Sequence, residues 1–313
     1  MKPLSSKLLS KATVLRAAVL RAAVATVAAL GVAQAMPAAS YAGQLINGWN
    51  YAADSFKDGA NGTTIGGATN PYEIYGMGIK VTNSLIYVGV RANTGANGTS
   101  SVKWGDLMFD LSPQSGYGNG KFEYAVRFRT DSGATANGMQ RGVYRNADGA
   151  VSMISNRFSS LNGGTLPYSA ATGYVYNTFV TANGGTPKIG DLAVTDSYYP
   201  QGKDQLESMI DPSNKGTYIS GITNLNATQL SNQGFNAASM GYPAGTTFGF
   251  SFARPAGFSL ETGYTASLFW QCLNDSVAVR KVPLPALAWG AIAAAGFGGL
   301  TLARKKQKAT AQV

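Results

Sequence analysis

The chain has 313 residues, of which 39 are glycine, 11% are aromatic and only 13% are charged. This composition is too aromatic for a disordered chain and too rich in glycine for a helical bundle, so it indicates strands joined by tight turns. The sequence has no histidine and one cysteine, Cys272, which argues against zinc sites, Ser-His-Asp triads and an internal disulfide. We therefore expect no enzyme activity and no catalytic residues, with carboxylate-based chemistry as the remaining alternative.

The formal charge of +10 is concentrated at the two ends of the chain. Five basic residues and no acidic ones lie in residues 1–42, and four basic residues and no acidic ones lie in residues 282–313. The remaining segment is nearly neutral. We expect no nucleic-acid partner, because the basic residues flank apolar runs in the way that membrane-targeting segments do.

The first 42 residues are typical of a signal peptide. A basic region ends at Arg21, an apolar run follows, and small residues lead up to Ala42 and Gly43, between which we expect cleavage. Cleavage after Ala35 is the second choice, and an uncleaved helix is the alternative. The signal predicts export by the Sec translocation machinery.

The C-terminal segment, 282–313, predicts a single membrane helix. The motif Val282, Pro283, Leu284 and Pro285 precedes an apolar stretch that runs from 286 to 303. As a helix, 282–303 would span ~33 Å, enough for a bilayer core. The basic tail, 304–313, begins with Arg304, Lys305 and Lys306 and predicts that this end is cytoplasmic. The segment between the two predicted membrane-targeting ends is then expected outside the cytoplasm.

This order of Pro-containing motif, hydrophobic helix and basic cluster resembles the PEP-CTERM sorting signal of bacterial surface proteins, in its Val-Pro-Leu-Pro variant. The resemblance implies that an exosortase in the inner membrane cuts near the motif and sends the body to the cell surface or extracellular matrix. A permanent anchor is the alternative. The body is similar to exosortase-dependent surface proteins at 49–54, 72–77, 105–107 and 272–275, which implies location and architecture only.

Residues 43–281 predict one all-β ectodomain, an antiparallel β-sandwich of the jelly-roll kind. Asn-Gly and Asp-Gly pairs recur and suit tight turns. Between them, apolar side chains alternate along 75–81, 86–90, 122–128, 248–252 and 264–272, which is the strand period. Two short helices are expected, over 203–210 and 226–233, the second capped by Asn224 or Asn226.

Candidate site residues are few. Asp54 and Asp58 lie in a loop, and Asp106 and Asp110 lie on one face of a strand-like segment; together they are the candidates for a calcium site, with ordinary turn chemistry as the alternative. Tyr198 and Tyr199 are the candidates for ligand contact from an exposed loop, with packing in the core, as for the other aromatic residues, as the alternative.

Three further side chains have expected places. Arg127 and Arg129 are expected on a solvated strand face, and Cys272 as a small buried residue. The four glutamates, Glu73, Glu123, Glu207 and Glu261, form no recognised glycosidase pair.

The sequence therefore favours an exported surface or matrix protein with a structural or adhesive role, and with no cofactor except a calcium ion. The alternative is an extracellular carbohydrate-binding module, dependent on calcium, whose further partner would be a surface polysaccharide. A carboxylate-dependent hydrolase is a third reading. The N-terminal and C-terminal segments predict where the protein is sent, but they do not identify its ligand.

Overall fold

The computed structural model describes residues 43–61, 64–100, 102–111, 121–129, 139–152, 180–199, 206–241, 245–259 and 263–282. Every strand pairing among them is antiparallel. The strands are β1 (Gln44–Ile46), β2 (Trp49–Ala53), β3 (Ala60–Asn61), β4 (Thr64–Ile65), β5 (Ile74–Val81), β6 (Leu85–Ala92), β7 (Leu107–Asp110), β8 (Lys121–Arg127), β9 (Gly142–Ser152), β10 (Leu206–Ile210), β11 (Thr217–Ser220), β12 (Ile222–Asn226), β13 (Thr246–Ala253), β14 (Tyr264–Phe269) and β15 (Ser276–Lys281).

The strands form two large sheets and a short ribbon. The first sheet has the order β1-β2-β5-β6-β13-β12. The second has the order β10-β9-β8-β7-β14-β15, with β11 also paired to β9, and β3 pairs with β4. The turn between β1 and β2 is Asn47-Gly48, with φ of 52° and 80°, as the sequence predicts for an Asn-Gly hairpin.

The two large sheets share one apolar core. It takes Met77, Ile79 and Phe250 from the first sheet and Val126 and Leu268 from the second, all at most 1% exposed. The alternating faces predicted along the strands are therefore confirmed with two exceptions. Phe122 packs in a second cluster. Tyr75, at a register shift near the start of β5, stacks on Phe56 instead of joining the shared core.

The second cluster covers the opposite face of the second sheet. Residues 180–199 supply Val180, Ile189 and Leu192, which pack with Met108 and Phe269. Because this face is covered, strand residues that would point to water on an open sheet are buried. The prediction that Arg127 and Arg129 form a solvated face is therefore wrong; they are 2% and 5% exposed.

One predicted helix is confirmed and one is wrong. Helix α1 (Ala227–Asn232) is capped by Asn226, whose side chain accepts from Gln229 N while the Gln229 side chain accepts from Asn226 N. Residues Leu206–Ile210 form β10 instead of a helix, because they pair with β9 at the end of the second sheet. Two 3-10 helices, Pro212–Asn214 and Ala237–Met240, and the helical residues 180–182 complete the described helical elements.

The predicted signal peptide, 1–42, and nearly all of the sorting segment, 283–313, lie outside the described residues. Within the described ranges, no helix has the length and apolar character needed to cross a membrane.

Candidate cation site

Four acidic side chains are brought together from both ends of the described chain. Asp54 follows β2 directly, Asp58 lies four residues later, Glu73 precedes β5, and Asp275 precedes β15. Strand β15 of the second sheet contacts β2 and β5 of the first. The carboxylates therefore meet where the two sheets adjoin, although nothing in the local sequence links Asp275 to the others.

The carboxylates of Asp54, Asp58 and Asp275 form a compact cluster. One oxygen from each lies within 4.8 Å of the others. Asp58 and Asp275 are fully buried and Asp54 is 4% exposed. Two oxygens that each lie about 2.4 Å from a shared calcium ion are at most about 4.8 Å apart, so this spacing is compatible with one ion.

Backbone N–H groups hold the three carboxylates in place. Asp275 accepts from Ile74 N and from Ser276 N, each at 2.7 Å. Asp54 Oδ1 accepts from Gly190 N at 2.8 Å, and Asp58 Oδ2 accepts from Lys188 N at 3.0 Å. The segment that covers the second sheet thus also orients two of the acids.

Some carboxylate oxygens in this region are not satisfied by the described protein. Asp54 Oδ2 and Glu73 Oε1 are buried, and neither has a hydrogen-bond partner among the described residues. Glu73 Oε2 accepts from Gly67 N at 3.1 Å, so one half of that carboxylate is held while the other is not. A buried oxygen without a donor is costly, and a cation is one way to satisfy it.

The electrostatics of the cluster show mutual repulsion. Burial, followed by the charge of Asp58, raises the pKa of Asp54 and Asp275 well above the usual range. The same two causes raise the pKa of Glu73 to about 9. The positive charge of Lys188 lowers the pKa of Asp54, but it is the weakest of the influences on that pKa. Without a cation, the site holds negative charge poorly and retains protons instead.

Local sequence explains the close approach of the loops. A Cβ atom at Gly59 would lie 2.9 Å from Glu73 Cα and 3.0 Å from Asp275 Oδ2, so only glycine fits there without displacement. The side-chain amide of Asn70 donates to Gly59 O, and Ala60 N donates to Asn274 O at 3.1 Å. The Asp58-Gly59 pair, predicted as a turn, therefore serves a tight contact between loops.

Of the four predicted calcium ligands, the structure brings together Asp54 and Asp58 only. Asp106 and Asp110, on and beside β7, do not join them, which corrects that part of the prediction. Sequence reasoning missed Glu73 and Asp275 as partners. Both lie in segments that the resemblance picked out, 72–77 and 272–275, but the residues alone gave no spacing signal.

Asp106 is instead the buried partner of two arginines. Its carboxylate lies 3.7 Å from Arg127 Nη1 and 3.7 Å from Arg129 Nε, and it accepts from Ile210 N at 2.9 Å. Arg129 also donates to Trp104 O at 2.8 Å. This group is a structural ion pair inside the second sheet, since each of its charges has an opposite neighbour.

Tyr198 and Tyr199 are buried, 2% and 3% exposed, which corrects the prediction of an exposed ligand-binding pair. Their rings pack edge to face, and Arg280 lies over the Tyr198 ring at 5.6 Å. Burial raises the pKa of both hydroxyl groups. They anchor the covering segment on the second sheet, because Tyr199 also packs against Phe269.

Cys272 is partly buried against the shared core, in agreement with its expected packing role.

Comparison with protein-family models, with curated proteins and with solved structures gave no match for this chain.

Proposed function

We propose that this chain is an exported cell-surface or extracellular-matrix protein with a structural or adhesive role, whose jelly-roll-like β-sandwich ectodomain holds one calcium ion. The observation that carries the calcium assignment is the buried cluster of Asp54, Asp58 and Asp275, with oxygens within 4.8 Å of one another. Export and sorting are supported by the sequence of the two ends.

The cluster favours a bound cation over a permanently protonated state. Three carboxylates are aimed at one point by backbone donors, which stabilise the charged form of each. Asp54 Oδ2 remains to be satisfied, and Glu73, which is not part of the 4.8 Å cluster, adds negative charge beside Asp58. A divalent ion would satisfy both requirements, since it neutralises the carboxylates and takes up their spare lone pairs.

The donor set favours calcium among divalent ions. All of the acidic groups offer hard oxygen donors, and the chain contains no histidine, so softer metals lack their usual ligands. Calcium accepts six to eight oxygens in flexible geometry, whereas magnesium demands a near-ideal octahedron. Extracellular modules bind calcium with Kd of about 10⁻⁴–10⁻³ M, a range that suits an exported protein.

A calcium ion here would fasten the two ends of the described fold. Its ligands come from residues just after β2 and just before β15, and Glu73 stands just before β5. Because these segments are far apart in sequence, only the folded chain presents the ligands together, so binding of the ion favours the fold over the unfolded chain. The role is structural, and it would stabilise the ectodomain after export, where calcium is abundant.

The calcium assignment is tested by equilibrium dialysis of the purified chain against calcium. We expect about one high-occupancy ion per chain for the wild type, and none for Asp54→Asn. Asp148→Asn is the matched control, because it removes one carboxylate charge from the protein surface, where Asp148 accepts from Asn214. Equal calcium binding by all three proteins would remove the assignment.

Export and sorting are tested separately by the intact mass of the protein recovered from the surface of exporting cells. We expect a mass that lacks both residues 1–42 and most of 286–313. Pro285→Ala should leave the tail attached, while Pro212→Ala, in a 3-10 helix of the body, should not. A surface protein of full mass in every case would contradict processing, and would leave the calcium site untouched.

A further inference from the structure

A groove lies where the end of β13 approaches β8, β9 and β11. These strands are not the ones that carry the carboxylate cluster. Its volume is about 290 Å³. Residues from both large sheets line it, among them Tyr124, Arg145, Ile219, Ser220, Arg254 and Pro255. The volume lies near the lower limit of about 300 Å³ for ligand pockets, so it suits one small ring.

The groove carries positive charge without a matching carboxylate. Arg145 is exposed, and Tyr124 is its direct cross-strand partner. None of the residues that line the groove is acidic. Among the described residues, the ion pairs are formed by other arginines, and neither Arg145 nor Arg254 takes part. Two guanidinium groups on one small cavity favour an anionic ligand.

Arg254 is held in position by neutral groups. Its Nε donates to Asn83 O at 3.1 Å and its Nη1 donates to Phe258 O at 2.7 Å. These carbonyl groups fix the guanidinium plane but do not cancel its charge. The planar group is therefore preorganised, which lowers the entropic cost of accepting a carboxylate.

The remaining walls mix apolar surface with hydroxyl groups. Ile219, 38% exposed, offers apolar surface to the groove, and the buried residues Pro255 and Tyr124 also line it. The hydroxyl of Ser220 is buried and has no hydrogen-bond partner in the described part of the chain. A fully hydrated inorganic ion would gain nothing from these apolar walls, whereas a sugar ring presents both C–H faces and hydroxyl groups.

We propose that this groove binds one anionic sugar unit of an extracellular polysaccharide. The acid group of the sugar lies against Arg145 and Arg254, its ring packs on Ile219 and Pro255, and its hydroxyl groups face the polar edge of the cavity. The inference goes beyond the calcium site and does not depend on it.

The test uses the purified chain in saturating calcium and isothermal titration calorimetry at low salt. The probes are trigalacturonate, a sulfated trisaccharide, a neutral trisaccharide of similar length, and inorganic phosphate. We expect binding of an acidic trisaccharide, no detectable binding of the neutral one, and weakening by about tenfold or more in Arg145→Gln, the effect of losing one hydrogen bond to a charged group. The carboxylated and sulfated probes show which acid group the groove prefers.

Two variants keep the test independent of folding. Lys121→Gln removes an exposed positive charge on β8 that does not line the groove, and it should bind as the wild type does. Gly257→Ala places a Cβ atom 2.8 Å from the Tyr124 hydroxyl and should reduce binding by obstructing the cavity. Equal binding of neutral and acidic sugars, phosphate binding as strong as sugar binding, or an unchanged affinity in Arg145→Gln would each overturn the proposal.

Discussion

The carboxylate of Asp275 accepts the backbone N–H of Ile74 at 2.7 Å, across a sequence separation of 201 residues. This bond joins the start of β5 in the first sheet to the residue before β15 in the second. The candidate cation site is therefore complete only when the last strand has docked. A cation bound there would stabilise the folded domain as a whole, because the unfolded chain cannot present the same ligands together.

Asp54→Asn tests whether the cluster is strained without an ion. The amide oxygen can still accept from Gly190 N, while the amide N–H₂ replaces the unpartnered Oδ2 and can donate to a neighbouring carboxylate. We expect the variant to be at least as stable as the wild type in chelator. In calcium at 100 times Kd, the wild type should gain about 2.7 kcal/mol, or roughly 5–10 °C in Tm, and the variant should gain almost nothing.

Thermal unfolding in chelator and in calcium provides the measurement, with Asp148→Asn as the charge-matched control. The control should respond to calcium as the wild type does. If calcium raised the Tm of Asp54→Asn as much as that of the wild type, the ion would bind elsewhere.

Gly59→Ala tests the close approach of the loops around the site. The added methyl group would meet Glu73 Cα at 2.9 Å and Asp275 Oδ2 at 3.0 Å, so one loop must move. We expect a loss of about 1–3 kcal/mol in unfolding free energy, as for overpacked cores, and weaker calcium binding. Gly95→Ala is the control, since its nearest neighbour would be 3.8 Å away. Urea unfolding that ranked the two variants equally would contradict this geometry.

Asp106→Asn should destabilise the protein without changing its calcium binding. The substitution leaves Arg127 and Arg129 buried, 3.7 Å from a neutral group. Breaking a buried pair in this way costs about 3–5 kcal/mol. Asp196→Asn breaks a bidentate pair with Arg280 in which each side chain is 22% exposed, and it should cost less, about 1.5 kcal/mol. Urea unfolding measures both, and a loss of calcium binding in Asp106→Asn would return that residue to the cation site.

The Asp191 carboxyl group should make stability depend on pH. Burial raises its pKa to about 7, against the opposing influence of a hydrogen bond from Arg280 N and the charges of Lys188 and Arg280. Between about pH 4 and about pH 7 the folded chain keeps a proton that the unfolded chain releases, so the free energy of unfolding falls as pH rises through this range. Above about pH 7 this contribution is constant.

Urea midpoints in saturating calcium, measured across that range, should therefore fall less steeply for Asp191→Asn than for the wild type. Identical slopes for the two proteins would show that Asp191 does not titrate as its burial requires.

Local sequence patterns predicted the strands well, because period-two alternation reflects one face packed on a core. They also predicted α1, with Asn226 as one of its two cap candidates. They failed where tertiary contact decides. Asp148-Gly149 resembles a hairpin turn but lies inside β9, where a Cβ at Gly149 would meet Glu207 Cβ at 2.5 Å. The burial of Arg127 and Arg129 depends on contacts with distant segments, Met139 for Arg127 and Trp104 and Met209 for Arg129, which no pattern along β8 predicts.

Only part of the cation site could be predicted from the sequence, because tertiary contact brings its remaining residues together. Asp54 and Asp58 are close in sequence and lie in an oxygen-rich loop, so local composition drew attention to them. Asp275 joins them only through the contact of β15 with β2 and β5. Asp106 and Asp110 shared the expected strand face, but the second sheet places Asp106 beside two arginines instead.

The most direct test is a crystal structure of the purified chain grown in calcium, with anomalous scattering used to locate the ion. The account predicts one calcium peak about 2.3–2.6 Å from a carboxylate oxygen of each of Asp54, Asp58 and Asp275. The absence of an anomalous peak between these carboxylates in crystals grown at saturating calcium would contradict it.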